Sequence, residues 1–159
     1  MKITILCVGK IKEKYWRDAI AEYEKRLSRY AKTEIIEAAD EKTPEGASEA
    51  VEAQIKRAEG ARMEKYLKED AYVIALAIDG KQYDSVEFSR KIEQIGLSGK
   101  GQIIFLIGGS LGMDEALLRR ADERISFGRM TYPHQMMRVI LLEQIYRAYR
   151  IMKGEPYHK

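Results

Sequence analysis

The chain has 159 residues, 45% hydrophobic and 33% charged, with three prolines and one cysteine. That length suits one domain over 1–159, and the composition is that of a folded protein, which excludes a disordered one. The formal net charge of +3 is too mild to imply nucleic acid by itself.

The first segment, "KITILCVG" (2–9), reads as a β-strand, and Cys7 within it reads as a small buried hydrophobe. Trp16, Ala19, Tyr23, Leu27 and Tyr30 then recur at helical spacing, one apolar face of an amphipathic helix. "TEIIEAA" (33–39) is a weaker strand and "DEKTPEG" (40–46) a polar loop; a helix is expected from about Ala47 to Leu67, with Val51, Ile55 and Ala58 inward. Ala71–Ile78 is the longest uninterrupted apolar run, eight residues. That is far short of the ~18 a membrane span needs, and it predicts a strand buried on both faces, closed by the turn signal "DGK" (79–81). Asp84 with Glu87 three residues on predicts a capping box opening a helix that carries Phe88, Ile92 and Ile95 inward. "QIIFLIGGSLG" (102–112) is a fourth buried strand running into a glycine turn, followed by a helix near 114–122, a short strand at 124–128 and a last helix from about Pro133 to Met152.

This alternation predicts an α/β fold, a mostly parallel sheet flanked by helices on both faces. Ligands of such sheets bind at the carboxyl ends of the strands, which nominates "LAIDGK" (76–81), "IGGSLG" (107–112) and "FGRMTY" (127–132). The start "MKITILCVGKIKEK" has no leader-like apolar core or small-residue cleavage site, so a cytoplasmic location is expected and no membrane partner.

The glycine pair in "GGSLG" is the ordinary device for turning from strand to helix, and it also offers close backbone approach to a ligand. It is neither a P-loop nor a dinucleotide fingerprint, because GK[ST] and the G-x-G-x-x-G spacing are both missing. His134 and His158 stand far apart and no CxxC exists, so no metal is expected. A serine or cysteine hydrolase is equally disfavoured, since there is no G-x-S-x-G elbow.

"MTYPHQMMR" (130–138) opens the last helix, with Pro133 suited to its first turn and Gln135 placed to cap backward. At about 100° per residue, Leu142, Ile145 and Tyr149 lie on the stripe of Arg138, with His134 at its edge. An unpaired charge on an apolar face is costly. Arg138 is therefore either a paired arginine at a subunit interface or a group aimed at an anion, a reactive base or a phosphate. The helix is apolar nearly all round, more than a small monomer needs, which points to a homodimer. From Arg129 onward six Lys or Arg face two Glu, and the tail "KGEPYHK" (153–159) combines a stackable ring with a titratable imidazole; such a tail is frayed by default, or faces RNA.

"LIGGSLG", "SFGRMTYPHQMMRV", "LLEQIYRAY" and the terminal "GEPYHK", together with "ITILCVGKIKEKYW" at the start, closely resemble the bacterial ribosomal RNA large subunit methyltransferase H family. The resemblance covers essentially the whole chain. It implies a SPOUT-type fold with a C-terminal trefoil knot, a homodimer, S-adenosyl-L-methionine as methyl donor, and N3 of a pseudouridine in 23S rRNA as acceptor, on the large subunit or the 70S ribosome. Carried over by motif, the cofactor-binding positions are Leu76, Gly108, Phe127, Gly128, Arg129, Met130, Thr131 and Tyr132, the three strand exits already nominated. The catalytic expectations are His134 or His158 as proton acceptor, Arg138 as stabiliser of charge on the base carbonyls and Tyr157 as the ring that stacks on the extruded base, with Arg147, Arg150 and Lys153 on phosphates. Three alternatives stand beside this reading: a SPOUT enzyme for another RNA such as tRNA, a non-enzymatic ribosome-binding dimer, and a flavodoxin-like nucleotide-binding module.

Overall fold

A computed structural model describes residues 1–159. Ten elements alternate along the chain: β1 (Lys2–Val8), α1 (Lys14–Leu27), β2 (Lys32–Ala38), α2 (Glu49–Glu64), β3 (Ala71–Gln82), α3 (Ser85–Leu97), β4 (Gln102–Ile107), α4 (Glu115–Arg119), β5 (Glu123–Ser126) and α5 (His134–Met152). The strands form one sheet in the order β2-β1-β4-β3-β5, and every pairing is parallel.

β1 and β4 are buried along nearly their whole length because both faces of the sheet are covered, and the one buried polar side chain of β1, Thr4, accepts from Gln102. Alternate residues of β4 serve opposite cores. Ile103, Phe105 and Ile107 join Ile20, Leu27, Phe88, Ile92, Leu142 and Ile145 beneath α1, α3 and α5. Ile104 and Leu106 join Met63 and Leu117 beneath α2 and α4. Cys7 is fully buried, its thiol donating to the Ile36 carbonyl at 3.4 Å, and burial pushes its pKa up to about 12. It packs as a hydrophobe and is unreactive as a thiol.

The capping box at Asp84 is present in full, each side chain bonding the other's backbone N–H. Three local expectations need correction. Helix α1 ends at Leu27, and Tyr30, expected on its face, lies beyond it and stacks on Tyr149 with centroids 5.6 Å apart. Gln135 does not cap α5, which has no side-chain cap bond. The "DGK" segment does not close β3: after a bulge between Leu76 and Lys81 the strand resumes pairing with β5. Gly80 permits this. A Cβ there would lie 2.5 Å from the Ile125 carbonyl carbon, so only glycine lets the two backbones approach this closely. No helix is long and apolar enough to cross a membrane.

Candidate functional site

Three loops meet at the carboxyl rim of the sheet around a cavity of about 440 Å³. Its walls bring together Leu76 from β3, Gly108 from the β4 exit, and Phe127, Gly128, Met130, Thr131 and Tyr132 from the β5–α5 loop. Of the expected cofactor-binding positions only Arg129 stands outside the wall. The lining is mainly apolar, and the backbone of residues 107–112 forms one side.

The glycines here have separate reasons. A Cβ on Gly108 would fall 2.9 Å from the Gly112 carbonyl carbon, because the loop folds back on itself through a Gly109–Gly112 bridge. Gly112 itself needs φ +87°. In the third loop Gly128 (φ +113°) lets the chain reverse, and its N–H donates to Ser126 Oγ at 3.1 Å. The glycine turn is thus both a structural device and a wall of the cavity.

His134, the first residue of α5, lines this cavity and also a second, charged one of about 510 Å³ at the exits of β1 and β2. Its Nδ1 is buried without a hydrogen-bond partner. Burial, then the neighbouring Arg138 guanidinium, hold its pKa below the ordinary histidine value, against the opposing fields of Asp40 and Glu13. The imidazole is therefore neutral at pH 7, as a proton acceptor must be.

Arg138 departs from expectation. It is fully buried, and its guanidinium is committed inside the chain: Nη1 donates to Glu37 Oε2 at 2.7 Å, and Nη2 to the Val8 and Gly9 carbonyls at 3.1 and 2.8 Å. The same Glu37 oxygen accepts the Ile11 N–H at 3.0 Å. Arg138 is paired as its apolar surroundings demand, but with β1 and β2 of its own chain, and it reaches no cavity. It positions the first turns of α5, and with them His134, over the strand exits.

At the other end of α5 the tail is anchored, where fraying was the default. Glu143 gathers Arg147 (Nη2 to Oε1, 2.8 Å) and the Tyr157 hydroxyl (2.8 Å). Arg147 also lies over the Tyr157 ring, 4.6 Å from its centroid, and 3.3 Å from His158 Nδ1. Burial and then the bond to Glu143 push the Tyr157 pKa up to about 12, so its hydroxyl keeps its proton. Arg150 bonds the Tyr30 hydroxyl, Glu155 and the Pro156 carbonyl. Of the three expected phosphate contacts, only Lys153 is exposed and without a side-chain partner. His158 lines a third cavity with Tyr83, Ser85 and Gln144, on the far side of the Ser126–Gly128 turn from the first. The two histidines thus occupy different cavities that share this turn.

Two roles lie outside the sequence expectations. Glu59 is buried on the inner face of α2, and Glu143 organises the tail. A signal for Glu59 exists: it falls four residues from both Ile55 and Met63, a charge on an apolar stripe like Arg138.

A family model described as "Predicted SPOUT methyltransferase" matches residues 1–158. Among the similar proteins, "Ribosomal RNA large subunit methyltransferase H" of Bifidobacterium adolescentis is 63% identical over 159 residues, covering 100% of both chains. Proteins of the same name from Enterococcus faecalis and Listeria monocytogenes are each 57% identical, again over the whole of both chains. A solved structure of a probable methylase family protein from Haemophilus influenzae shares the fold, with a TM-score of 0.52 at 11% identity, over 99% of this chain and 70% of that one. With the rim cavity built from the loops that the resemblance singled out, the chain belongs to the ribosomal RNA large subunit methyltransferase H family of SPOUT methyltransferases.

Proposed function

We propose that the protein, one domain over 1–159, transfers a methyl group from S-adenosyl-L-methionine to N3 of a pseudouridine in 23S rRNA. It acts in the cytoplasm as a homodimer, on the large subunit or the 70S ribosome. The observation that carries this is the rim cavity in which Leu76, Gly108 and the 127–132 loop converge. Its volume and mostly apolar walls fit an adenosine-bearing donor, since small-molecule sites run to about 300–1,000 Å³ with few polar groups.

The donor supplies an electrophilic methyl on a sulfonium. The protein's own contribution is alignment, exclusion of water, and handling of the N3 proton. His134, neutral and at the edge of the cavity, is the better placed acceptor of that proton; exposed His158 serves the RNA side. Tyr157, protonated, orients the extruded base by stacking and by its hydroxyl. Arg147 and Arg150 exchange their internal carboxylate partners for phosphates when RNA docks, and Lys153 adds a contact. The trefoil knot belongs to the same reading. Strand β5 lies at one sheet edge, yet the helix after it bonds β1 and β2 through Arg138, so residues 127–134 pass the β4–α4 turn in between.

The test is transfer of a labelled methyl group to ribosomes that lack the modification, offered as free 23S rRNA, large subunits and 70S particles. Label mapping to N3 of a pseudouridine in 23S rRNA is expected. Donor binding without label in any particle would redirect the search to other RNAs, and absence of donor binding would favour a ribosome-binding protein without activity.

A further inference from the structure

The charged chamber shares Gly109, Ser110 and His134 with the donor cavity. Glu37 in its wall is taken up by Arg138 and the Ile11 N–H, and Glu41 is paired with Arg62. Glu59 is not accounted for in this way. Glu59 lines the chamber and is 6% exposed; Oε2 accepts the Glu41 N–H at 3.1 Å, while Oε1 accepts no hydrogen bond from the protein. Gly109 leaves that oxygen uncovered, since a Cβ there would stand 3.3 Å from it. A carboxylate so buried is costly unless a cation or a donor meets it, and burial accordingly pushes the Glu59 carboxyl above the usual range. Two buried polar atoms of residues on this chamber, His134 Nδ1 and Glu13 Oε2, have no partner. Lys10 and Lys12 line the same chamber, exposed and without an ionic partner.

We propose that this chamber receives the amino-acid end of the methyl donor, with Glu59 accepting its α-ammonium group and Lys10 and Lys12 facing its carboxylate. The inference rests on the reading that the adjoining cavity binds S-adenosylmethionine. The donor has two unlike ends, a flat adenosine and a zwitterion. The two cavities are unlike in the same way: one is largely apolar and backbone-walled, the other carries charges of both signs about a buried acid. The acid-rich wall repels RNA phosphates, which leaves a small zwitterion as the matching occupant.

The experiment is calorimetric titration with S-adenosylmethionine and with 5′-methylthioadenosine, which keeps the adenosine and sulfur but lacks the amino-acid end. Glu59→Gln preserves an oxygen for the Glu41 N–H. The variant should bind S-adenosylmethionine about tenfold or more weakly, the scale of one charge-assisted hydrogen bond, and 5′-methylthioadenosine within about twofold of wild type. Equal weakening of both ligands, or none, overturns the proposal. If the variant does not fold, the wild type decides: S-adenosylhomocysteine should bind about tenfold more tightly than its desamino analogue, and equal affinity overturns the proposal. A wild type that binds neither adenosyl ligand removes the donor reading and this inference with it; one that binds S-adenosylmethionine no better than 5′-methylthioadenosine removes this inference alone.

Discussion

The two ends of α5 both carry arginine, and they use it differently. Near the N-terminal end Arg138 is fully buried, and its partners are a carboxylate and two main-chain carbonyls that cannot move without moving β1 and β2. At the C-terminal end Arg147 and Arg150 are only partly buried, and their partners are side chains and a tail that can let go. A guanidinium locked to main chain sets geometry, whereas one held by a surface carboxylate remains available for exchange.

This contrast can be broken most severely at Arg138. Arg138→Ala leaves two carbonyls and Glu37 without their donor, and should cost about 3 kcal/mol, lowering the melting temperature by roughly 10 °C. Thermal denaturation followed by circular dichroism measures it. A loss of activity with unchanged stability would return Arg138 to the chemistry. Arg147→Ala should do the reverse. Its stability should stay within about 1 kcal/mol of wild type, as for an i,i+4 ion pair within one helix. Turnover on ribosomes should fall about tenfold or more with donor affinity unchanged, the effect of one lost charged contact. A parallel drop in donor affinity would make the tail cluster part of the donor site. The smallest effect is at His134. Its folded pKa lies below its unfolded one, so the unfolded chain binds the proton first; this group's contribution is full above about pH 6.5 and is lost as pH falls toward the folded value. In urea denaturation at pH 7.5 and 5.5, His134→Gln should narrow the stability gap by less than about 1 kcal/mol. A wider gap would mean that His134 is charged in the folded protein.

The same contrast explains what could be read from residues alone. Periodicity marks burial, so the strands, the helices and the stripe bearing Arg138 were all legible, and the capping box at Asp84 is a local signal that needs no tertiary context. Burial does not say which partner satisfies a charge. Arg138 and Glu37 stand 101 residues apart, and only the crossover of α5 brings them together. Gly80 was misread for a related reason: "DG" signals a turn locally, but a distant strand pressing against the backbone there is invisible in the sequence. The loops that line the rim cavity are nominated twice in the sequence, as strand exits and by resemblance. The charged chamber carries no sequence signal because its walls come from the end of β1 and the loop after it, the end of β2 and the loop after it, α2, the β4–α4 turn and α5, with no motif in common.

The sheet order has a consequence for how the chain is made. β4 sits at the centre, bonded to β1 on one side and β3 on the other, and it begins only at Gln102. Until that strand leaves the exit tunnel, the apolar edges of β1 and β3 have no mate, and neither half of the sheet can close. Such long-range parallel pairing folds slowly and leaves strand edges open to misassociation. For nearly two thirds of its length the growing chain lacks the strand that joins the two halves of its sheet, and a product truncated before Gln102 leaves those halves unjoined.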